Sequence, residues 1–438
     1  MKRLALVSLA LALPLVASAA YAGDKLVILS PHRKSIQDEF LPKFKEYYQA
    51  TYKTDVDVEW LDQGGTSDDV RFLRAKFDKT PATSGVDIFW GGGTSTFLEL
   101  GRDKLLAPTK LPADLAKDVP AAAAGVPLRD DAGTWYASAL SSFGLFFNEK
   151  VLKLESLPEP QTWSDLGDPK YKNQITLTDP RRSGTASTMN AIVLQSAGWD
   201  KGWELLTRIA GNTKTFTHSS SDPVKAVVAG DAAVSMVIDF YAAPKVAELG
   251  KDNLGFVLPK GQTILDSDPV AVVKGAPNAK AAERFVAWVL GADAQKLLIL
   301  PKGAASGPKI ETLGRMAVNT KSYAETDGKR SSEFNPFKQA AYLKLDLAKA
   351  AKLQRIFNDL VGAIQVDPHA DLKAAWDAVV KRGTKPDEVA ALAKPPVTED
   401  ELLKLADKWD DDVLRNKTIN DWVEFARAKY KRLQEKAS

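Results

Sequence analysis

The 438-residue sequence contains no cysteine. This absence excludes a lipid anchor on a modified cysteine, a disulfide scaffold, cysteine-ligated zinc and iron–sulfur clusters. An excess of one charge is also lacking, because 59 Lys and Arg residues nearly balance 56 Asp and Glu residues, with a net charge of +3. Since no basic stripe is interleaved with aromatic residues, we expect no nucleic-acid partner.

Long apolar runs are missing beyond the N-terminus, so we expect a chain that is not embedded in a membrane. At the N-terminus, Lys2 and Arg3 precede an apolar stretch, and small residues end at Ala22. This pattern predicts a cleavable signal peptide over residues 1–22, with an N-terminal membrane anchor as the alternative. Because no cysteine is available for a lipid anchor, the expected location is the periplasm.

Motifs typical of catalysis are missing as well. The sequence has no Gly-x-Ser-x-Gly elbow, no His-Glu-x-x-His and no Walker loop. His369 falls in a helical pattern and is interpreted as a surface histidine. We therefore expect no enzyme activity, no catalytic residue, no cofactor and no resident metal.

The chain from Lys25 to about Pro308 alternates short β-type runs with helical patterns. Such alternation predicts α/β lobes with mainly parallel sheets. From about Ser331 the β-type runs disappear and helical patterns take over. The tail is therefore predicted to be an all-helical extension packed on the lobes.

Polar residues cluster at five strand-to-helix joints. In parallel α/β sheets, ligands bind beyond the carboxyl ends of strands, where helix N-termini offer free N–H groups. Ordinary helix capping is the alternative at each joint. The candidate ligand-binding residues at these joints are Ser30, His32, Gly93, Thr94, Ser183, Gly184, Thr185, His218, Asp239 and Tyr241.

The third joint, Asp179 to Thr185, combines cations, two hydroxyl groups and a helix start. These convergent donors suit a phosphate, a phosphonate or a carboxylate. At the fifth joint, Asp239 can accept hydrogen bonds from a ligand, and Tyr241 can donate one or bind a metal.

These strings, in this order, make the chain similar to the extracellular solute-binding proteins of ABC importers. It most resembles the branch that takes up ferric ion, sugar phosphates, phosphoglycerates and phosphonates. The resemblance covers about residues 25–308. The strings that carry it are SPHRKSIQDEF (30–40), WLDQGGTSDDVR (60–71), DIFWGGG (87–93), TWSDLGDPKY (162–171), LTDPRRSGT (177–185) and DPVAVVKGAPNAKAAERFVAWVL (268–290).

The resemblance implies a two-lobed type II periplasmic-binding fold, here with a helical C-terminal extension. Lobe 1 is expected over residues 23–140 and 265–330, lobe 2 over 141–264, and the extension over 331–438. The two crossovers are expected near Ala139–Phe143, which adds Ser142 to the candidate ligand-binding residues, and near Lys260–Asp268. Family members close on their ligand by hinge motion and deliver it to membrane permease subunits. Monomers are the family expectation.

The resemblance allows two hypotheses about the ligand. Iron-binding members use a His, a Glu and a Tyr-Tyr pair, of which His32 and Tyr241 match two positions. Glycine occupies the glutamate position and Phe240 replaces the first tyrosine, so iron is disfavoured. Anion-binding members hold phosphate on hydroxyls at helix starts, as at Ser183–Thr185. The prediction is a small phosphorylated or phosphonate solute, with other organic anions open.

A sensor that reports a bound ligand to a membrane kinase is the remaining alternative. Transport and sensing both need only a closed lobe surface, so the sequence does not separate them.

Overall fold

The computed structural model describes residues 23–331, 335–338, 342–344 and 346–436. The predicted signal peptide, residues 1–22, lies outside these ranges. The strands are β1 (Asp24–Leu29), β2 (Val56–Leu61), β3 (Ile88–Trp90), β4 (Leu106–Ala107), β5 (Ala122–Ala123), β6 (Val126–Pro127), β7 (Tyr136–Asn148), β8 (Ile175–Thr178), β9 (Thr213–Thr217), β10 (Val234–Ile238), β11 (Leu254–Val257) and β12 (Leu265–Val273).

Helices cover the sheets and make up most of the C-terminal region. They are α1 (Lys34–Tyr52), α2 (Thr66–Lys79), α3 (Thr94–Arg102), α4 (Leu115–Asp118), α5 (Glu149–Leu154), α6 (Gly184–Ala197), α7 (Trp199–Asn212), α8 (Asp222–Ala229), α9 (Asp239–Leu249), α10 (Ala279–Val289), α11 (Ala292–Ile299), α12 (Thr320–Glu325), α13 (Leu347–Val361), α14 (His369–Lys381), α15 (Pro386–Ala393), α16 (Glu399–Ala406) and α17 (Asp412–Glu435). Two 3₁₀ turns (Trp163–Gly167, Pro169–Tyr171) and a π-helical segment (Gly362–Val366) complete the set.

The paired strands follow the order β2-β1-β3-β12-β7-β10-β8-β9, with β4 on β12 and β11 on β7. Strands β2, β1 and β3 are mutually parallel in the first lobe, as are β10, β8 and β9 in the second. β7 and β12 run antiparallel to their neighbours, because they are the strands that cross between the lobes. The expected α/β architecture is confirmed, with these antiparallel strands at its centre.

Strand β7 belongs to both sheets. Its first half, from Tyr136 to Ser142, pairs with β12, and its second half pairs with β10 and β11. All thirteen of its residues are buried. A side chain at Gly144 would lie 2.3 Å from the Val257 carbonyl oxygen, so only glycine permits this close approach. The strand lies where the first crossover was expected.

Helix α1 illustrates how the lobes are covered. Its buried positions Ile36, Phe40, Phe44 and Tyr48 are four residues apart and therefore share one face. They pack into the core of the first lobe with β1, β3 and α10.

The C-terminal extension shares a core with the second lobe. One cluster of buried side chains contains Trp203 on α7 together with Phe357 and Trp376 of the extension. The indole nitrogen of Trp376 donates to Asn212 Oδ1 at 2.7 Å, which satisfies a buried polar pair. The extension is thus integral to the second lobe. The lobe limits themselves remain a prediction.

Among the described residues, no helix is long and apolar enough to cross a bilayer.

Candidate ligand-binding site

A cleft of about 450 Å³ opens between the two lobes. Both lobes supply its walls, which is the usual position of a small-molecule site in an α/β fold. The residues that line the cleft include His32, Arg33, Asp62, Gly65, Thr66, Gly92, Gly93, Arg182, Ser183, Gly184, Thr185, His218, Ser219, Ser220, Ser221, Lys225, Phe240, Tyr241, Lys245, Asp266, Asp268 and Arg315.

Six helices begin at this cleft. The residues that lead into α1, α2 and α3 line it from the first lobe, and those that lead into α6, α8 and α9 line it from the second. Helix N-termini carry unpaired N–H groups and the positive end of the helix dipole. Their convergence favours a ligand with negative charge.

The turn before α6 gathers hydroxyl and N–H donors that suit an anionic group, and it is called the anion seat below. Ser183 caps the helix, and its Oγ accepts a hydrogen bond from the Ala186 N–H at 3.1 Å. The same hydroxyl is hydrogen-bonded to the Ser220 hydroxyl, from the loop before α8. Gly184 faces Thr66 of the other lobe so closely that a methyl group on it would lie 3.5 Å from Thr66 Oγ1. Hydroxyls from three segments therefore meet at one place.

Five cationic side chains and three carboxyl groups line the cleft. Four of the cations lie in ion pairs, Arg33 with Glu311, Lys225 with Asp222, Lys245 with Glu248 and Arg315 with Asp268. Burial raises the pKa of Asp266 to about 6, and Thr94 Oγ1 donates to it at 2.6 Å. The cations are Arg33, Arg182, Lys225, Lys245 and Arg315.

His32 lies within an internal network. Its Nε2 is 2.7 Å from Asp268 Oδ2, and its Nδ1 is 3.0 Å from Ser30 Oγ. Burial lowers the pKa of His32, and the neighbouring Asp268 carboxylate acts in the opposite direction. Burial alone would raise the pKa of Asp268, but His32 and Arg315 outweigh it and hold that pKa below its usual range.

Gly91 makes room for this network. Its φ of 97° is in the left-handed region, and a side chain there would lie 2.8 Å from the His32 ring. Glycine is required on both counts. Asp268 Oδ1 also accepts the Gly92 N–H at 3.0 Å, which fixes the glycine turn against β12.

The structure brings seven of the eleven predicted residues to the cleft wall. They are His32, Gly93, Ser183, Gly184, Thr185, His218 and Tyr241. His32 is only 7% exposed, so it contributes mainly through its network. Their assignment as ligand contacts remains a prediction.

The other four lie directly beneath the wall. Ser30, Thr94 and Ser142 are fully buried, and their hydroxyls bond to His32, Asp266 and the Ile264 carbonyl respectively. Asp239 accepts from the Ser142 N–H at 3.0 Å, and burial raises its pKa to about 7. Strand-end residues alternate in direction, so these side chains turn into the lobes and support the lining.

Two arginines complete the site, and neither was among the predicted residues. Arg315 lies 3.8 Å above the Phe240 ring and Arg33 lies 5.5 Å from the Tyr241 ring, so each spans the cleft. Arg33 is also 2.9 Å from Glu311. Arg315 follows α11 in an irregular segment beyond the resemblance, where no strand-to-helix joint marks it. Arg33 stands at the first joint and could have been included.

Within the described ranges, no cluster of three or more His, Asp or Glu side chains is arranged to hold a metal ion. The two positions that match the iron binders are both approached by cations. Arg315 Nη1 is 3.2 Å from His32 Nε2, and Arg33 faces Tyr241.

Residues 92–306 match the model of the bacterial extracellular solute-binding protein family. The match covers just under half of the 438-residue chain. The matched residues include the anion seat, the crossover strands β7 and β12, and strand β4 of the first lobe.

A curated relative of this chain is the phosphoglycerate transport regulatory protein PgtC of Salmonella typhimurium, 32% identical over 184 residues. The match covers 42% of this chain and 45% of the relative, so the chain spans less than half the length of that relative.

Two solved structures share the fold. The periplasmic binding protein AfuA of Actinobacillus pleuropneumoniae, with fructose-6-phosphate bound, is 21% identical and aligns over 77% of this chain and 97% of its own, with a TM-score of 0.60. Iron-bound HitA of Pseudomonas aeruginosa is 16% identical and aligns over 77% and 99%, with a TM-score of 0.58. The two-lobed type II periplasmic-binding fold is confirmed.

Proposed function

We propose that this protein captures a small phosphorylated or phosphonate solute in the periplasm and delivers it to the membrane subunits of an ABC importer. It acts as a monomer and performs no chemistry on its ligand. The observation that carries the proposal is the seat at Ser183–Thr185, where a helix N-terminus and hydroxyls from three segments converge in a cleft rich in cations.

The ligand's anionic end is placed at Ser183, Gly184 and Thr185. A phosphoryl group offers several acceptor oxygens and no donor when ionised, which matches N–H and hydroxyl donors. The remaining polar end extends toward His218 and Tyr241, above the buried Asp239. Arg33 and Arg182 supply further positive charge from the two lobes.

Capture requires both lobes. The anion seat belongs to the second lobe, whereas Thr66 and Gly92 face it from the first. Each lobe alone presents half of the donors, so hinge closure creates the full site. The closed surface is what the permease would recognise.

The relatives are consistent with this class of ligand. PgtC is named for phosphoglycerate transport, and AfuA is described with fructose-6-phosphate bound. HitA is described as iron-bound, so the fold also serves ferric ion. The position of Arg315 beside His32 favours the organic anion over iron in this chain.

Reporting to a membrane sensor is the second candidate. The observation that favours it is the word "regulatory" in the name of PgtC. A permease and a sensor would both read the ligand-closed form. Deleting the permease genes separates them, because a sensor-controlled response survives that deletion and uptake does not.

A thermal-shift screen of the chain from Gly23 tests the proposed ligand class. The panel contains phosphosugars, phosphoglycerates, phosphonates, dicarboxylates and ferric citrate. A ligand at about 100 times its Kd adds ~2.7 kcal/mol of stability, which raises Tm by roughly 2–4 °C. A shift with phosphorylated or phosphonate compounds supports the proposal. A shift with ferric citrate alone contradicts it.

A further inference from the structure

The C-terminal extension reaches the turn that carries the anion seat. Arg181, two residues before Ser183, forms a two-pronged ion pair with Asp367 of the extension, at 2.8 and 2.9 Å. The same guanidinium donates to Asp179 at the start of the turn, at 2.8 Å. Arg181 is thus held between the turn and the extension, and its side chain is 28% exposed.

The backbone of the extension is shaped around this arginine. Helix α13 ends in the π-helical segment Gly362–Val366, directly before Asp367. A side chain at Gly362 would lie 2.5 Å from the Arg181 side chain, so glycine is needed for the close approach. π-Helical insertions re-aim the end of a helix and are frequent at functional sites.

Helix α13 also contacts two of the helices that begin at the cleft. It packs against α3 of the first lobe and α6 of the second. A small void of about 40 Å³ remains among the three helices, lined by Ser95, Ser187, Leu353 and Phe357 among others. Thr188 and Asp266 line both this void and the ligand cleft, so α13 lies directly behind the site.

The segment that leads into α13 forms a third connection between the lobes. Phe337 packs edge-on against Tyr323 of the first lobe, with ring centroids 5.9 Å apart. The Leu343 N–H donates to the Thr263 carbonyl beside the crossover, and the Asp346 N–H donates to Gln195 on α6. The extension is therefore attached on both sides of the hinge.

We propose that the C-terminal extension is a positioning element of the ligand site. Through Asp367 it holds Arg181, and with it the turn that presents Ser183 to Thr185. Through α13 it ties α6 to α3 behind the cleft. This inference rests on the proposed function, because it takes the turn before α6 as the anion seat.

Hydrogen exchange of the ligand-free protein tests the inference without needing a ligand. The informative amides are those of Arg182, Ala186 and Ser187, which donate within the turn to Asp179 O, Ser183 Oγ and Ser183 O. The variant is Asp367→Ala. Its matched control is Asp377→Ala, because Asp377 pairs with Lys172 at 2.8 Å between the extension and the second lobe, without contacting the turn.

We expect these three amides to exchange about two- to fivefold faster in Asp367→Ala, because one partly exposed ion pair is lost. In Asp377→Ala their exchange rate should be unchanged. Unchanged exchange in Asp367→Ala would overturn the inference. Equal acceleration in both variants would overturn it as well, because it would show general loosening of the extension.

Calorimetry with 3-phosphoglycerate as the probe separates the two proposals. If the wild type binds the probe, its Kd should rise about two- to fivefold in Asp367→Ala. If the amides accelerate in Asp367→Ala alone and the wild type binds no member of the phosphorylated panel, the positioning role stands and the proposed ligand class fails.

Discussion

His32 Nε2 and Asp268 Oδ2 lie 2.7 Å apart, although the two residues are separated by 236 positions in the chain. The pair joins the first strand-to-helix joint to the second crossover strand, and Arg315 closes it from a third segment. The side chain of His32 is a member of this buried network.

Asp268→Asn removes the charge that compensates Arg315. Breaking one partner of a buried ion pair leaves the other uncompensated, which costs about 3–5 kcal/mol of unfolding free energy. The control is Glu311→Gln, which removes the partner of Arg33, is 42% exposed and should cost at most ~1 kcal/mol. Urea unfolding at pH 7 measures both. Equal losses would show that Asp268 does not hold the network.

Ser183→Ala combined with Thr185→Ala removes two hydroxyl donors from the anion seat. We expect the Kd of the solute found by the thermal-shift screen to rise at least about tenfold, because two charge-assisted hydrogen bonds of ~1.5–3 kcal/mol each are lost. Isothermal titration calorimetry is the measurement. Ser196→Ala is the control, since its hydroxyl donates to the Val193 carbonyl at the other end of α6. An unchanged Kd in the double variant would refute this placement.

Asp239 should make stability depend on pH. Burial raises its folded-state pKa to about 7 from an ordinary value of 3.8, so the folded protein binds this proton more tightly. Its contribution is full below the unfolded pKa and is lost as pH rises through 7.

In Asp239→Asn the loss of stability between pH 5 and pH 8 should shrink by about 1–3 kcal/mol, measured by urea unfolding at both values. Asp69, with a pKa also raised to about 7 by burial, and Asp266 leave a residual slope of the same sign. An unaltered difference between the two pH values would show that Asp239 is ionised in the folded state throughout.

Gly211→Ala tests the shared core of the second lobe and the extension. A methyl group there would lie 2.6 Å from the Trp376 ring, so overpacking should cost about 1–3 kcal/mol. Gly101→Ala is a matched helical control with nothing within 4 Å of the new methyl group, and should leave stability unchanged or slightly raised. If chemical unfolding gives the same midpoint for both variants, the extension packs less tightly than described.

Most of the α/β strands were predictable because apolar runs of strand length alternate with helical patterns. Strand β7 was foreseen only through the family resemblance, since both of its faces are buried and no alternation marks it. Polar strand-to-helix joints located the cleft, because the carboxyl ends of parallel strands share one edge.

The details of the site depend on contacts that sequence spacing does not reveal. The inward direction of Thr94 and Ser142 follows from their pairing with Asp266 and Ile264, far along the chain. Arg315 and Asp367 come from irregular segments. Asp367 reaches Arg181 because the extension folds back on the second lobe.

The most direct test of the account is a calorimetric titration of the protein with a matched pair of compounds, 3-phosphoglycerate and glycerate, extended to the strongest phosphorylated compound of the screen and its dephosphorylated form. We expect saturable heat of binding for a phosphorylated compound. Its dephosphorylated form should bind at least about tenfold more weakly, because charge-assisted hydrogen bonds are lost. Equal binding of both members of such a pair, or binding of ferric citrate alone, would contradict it.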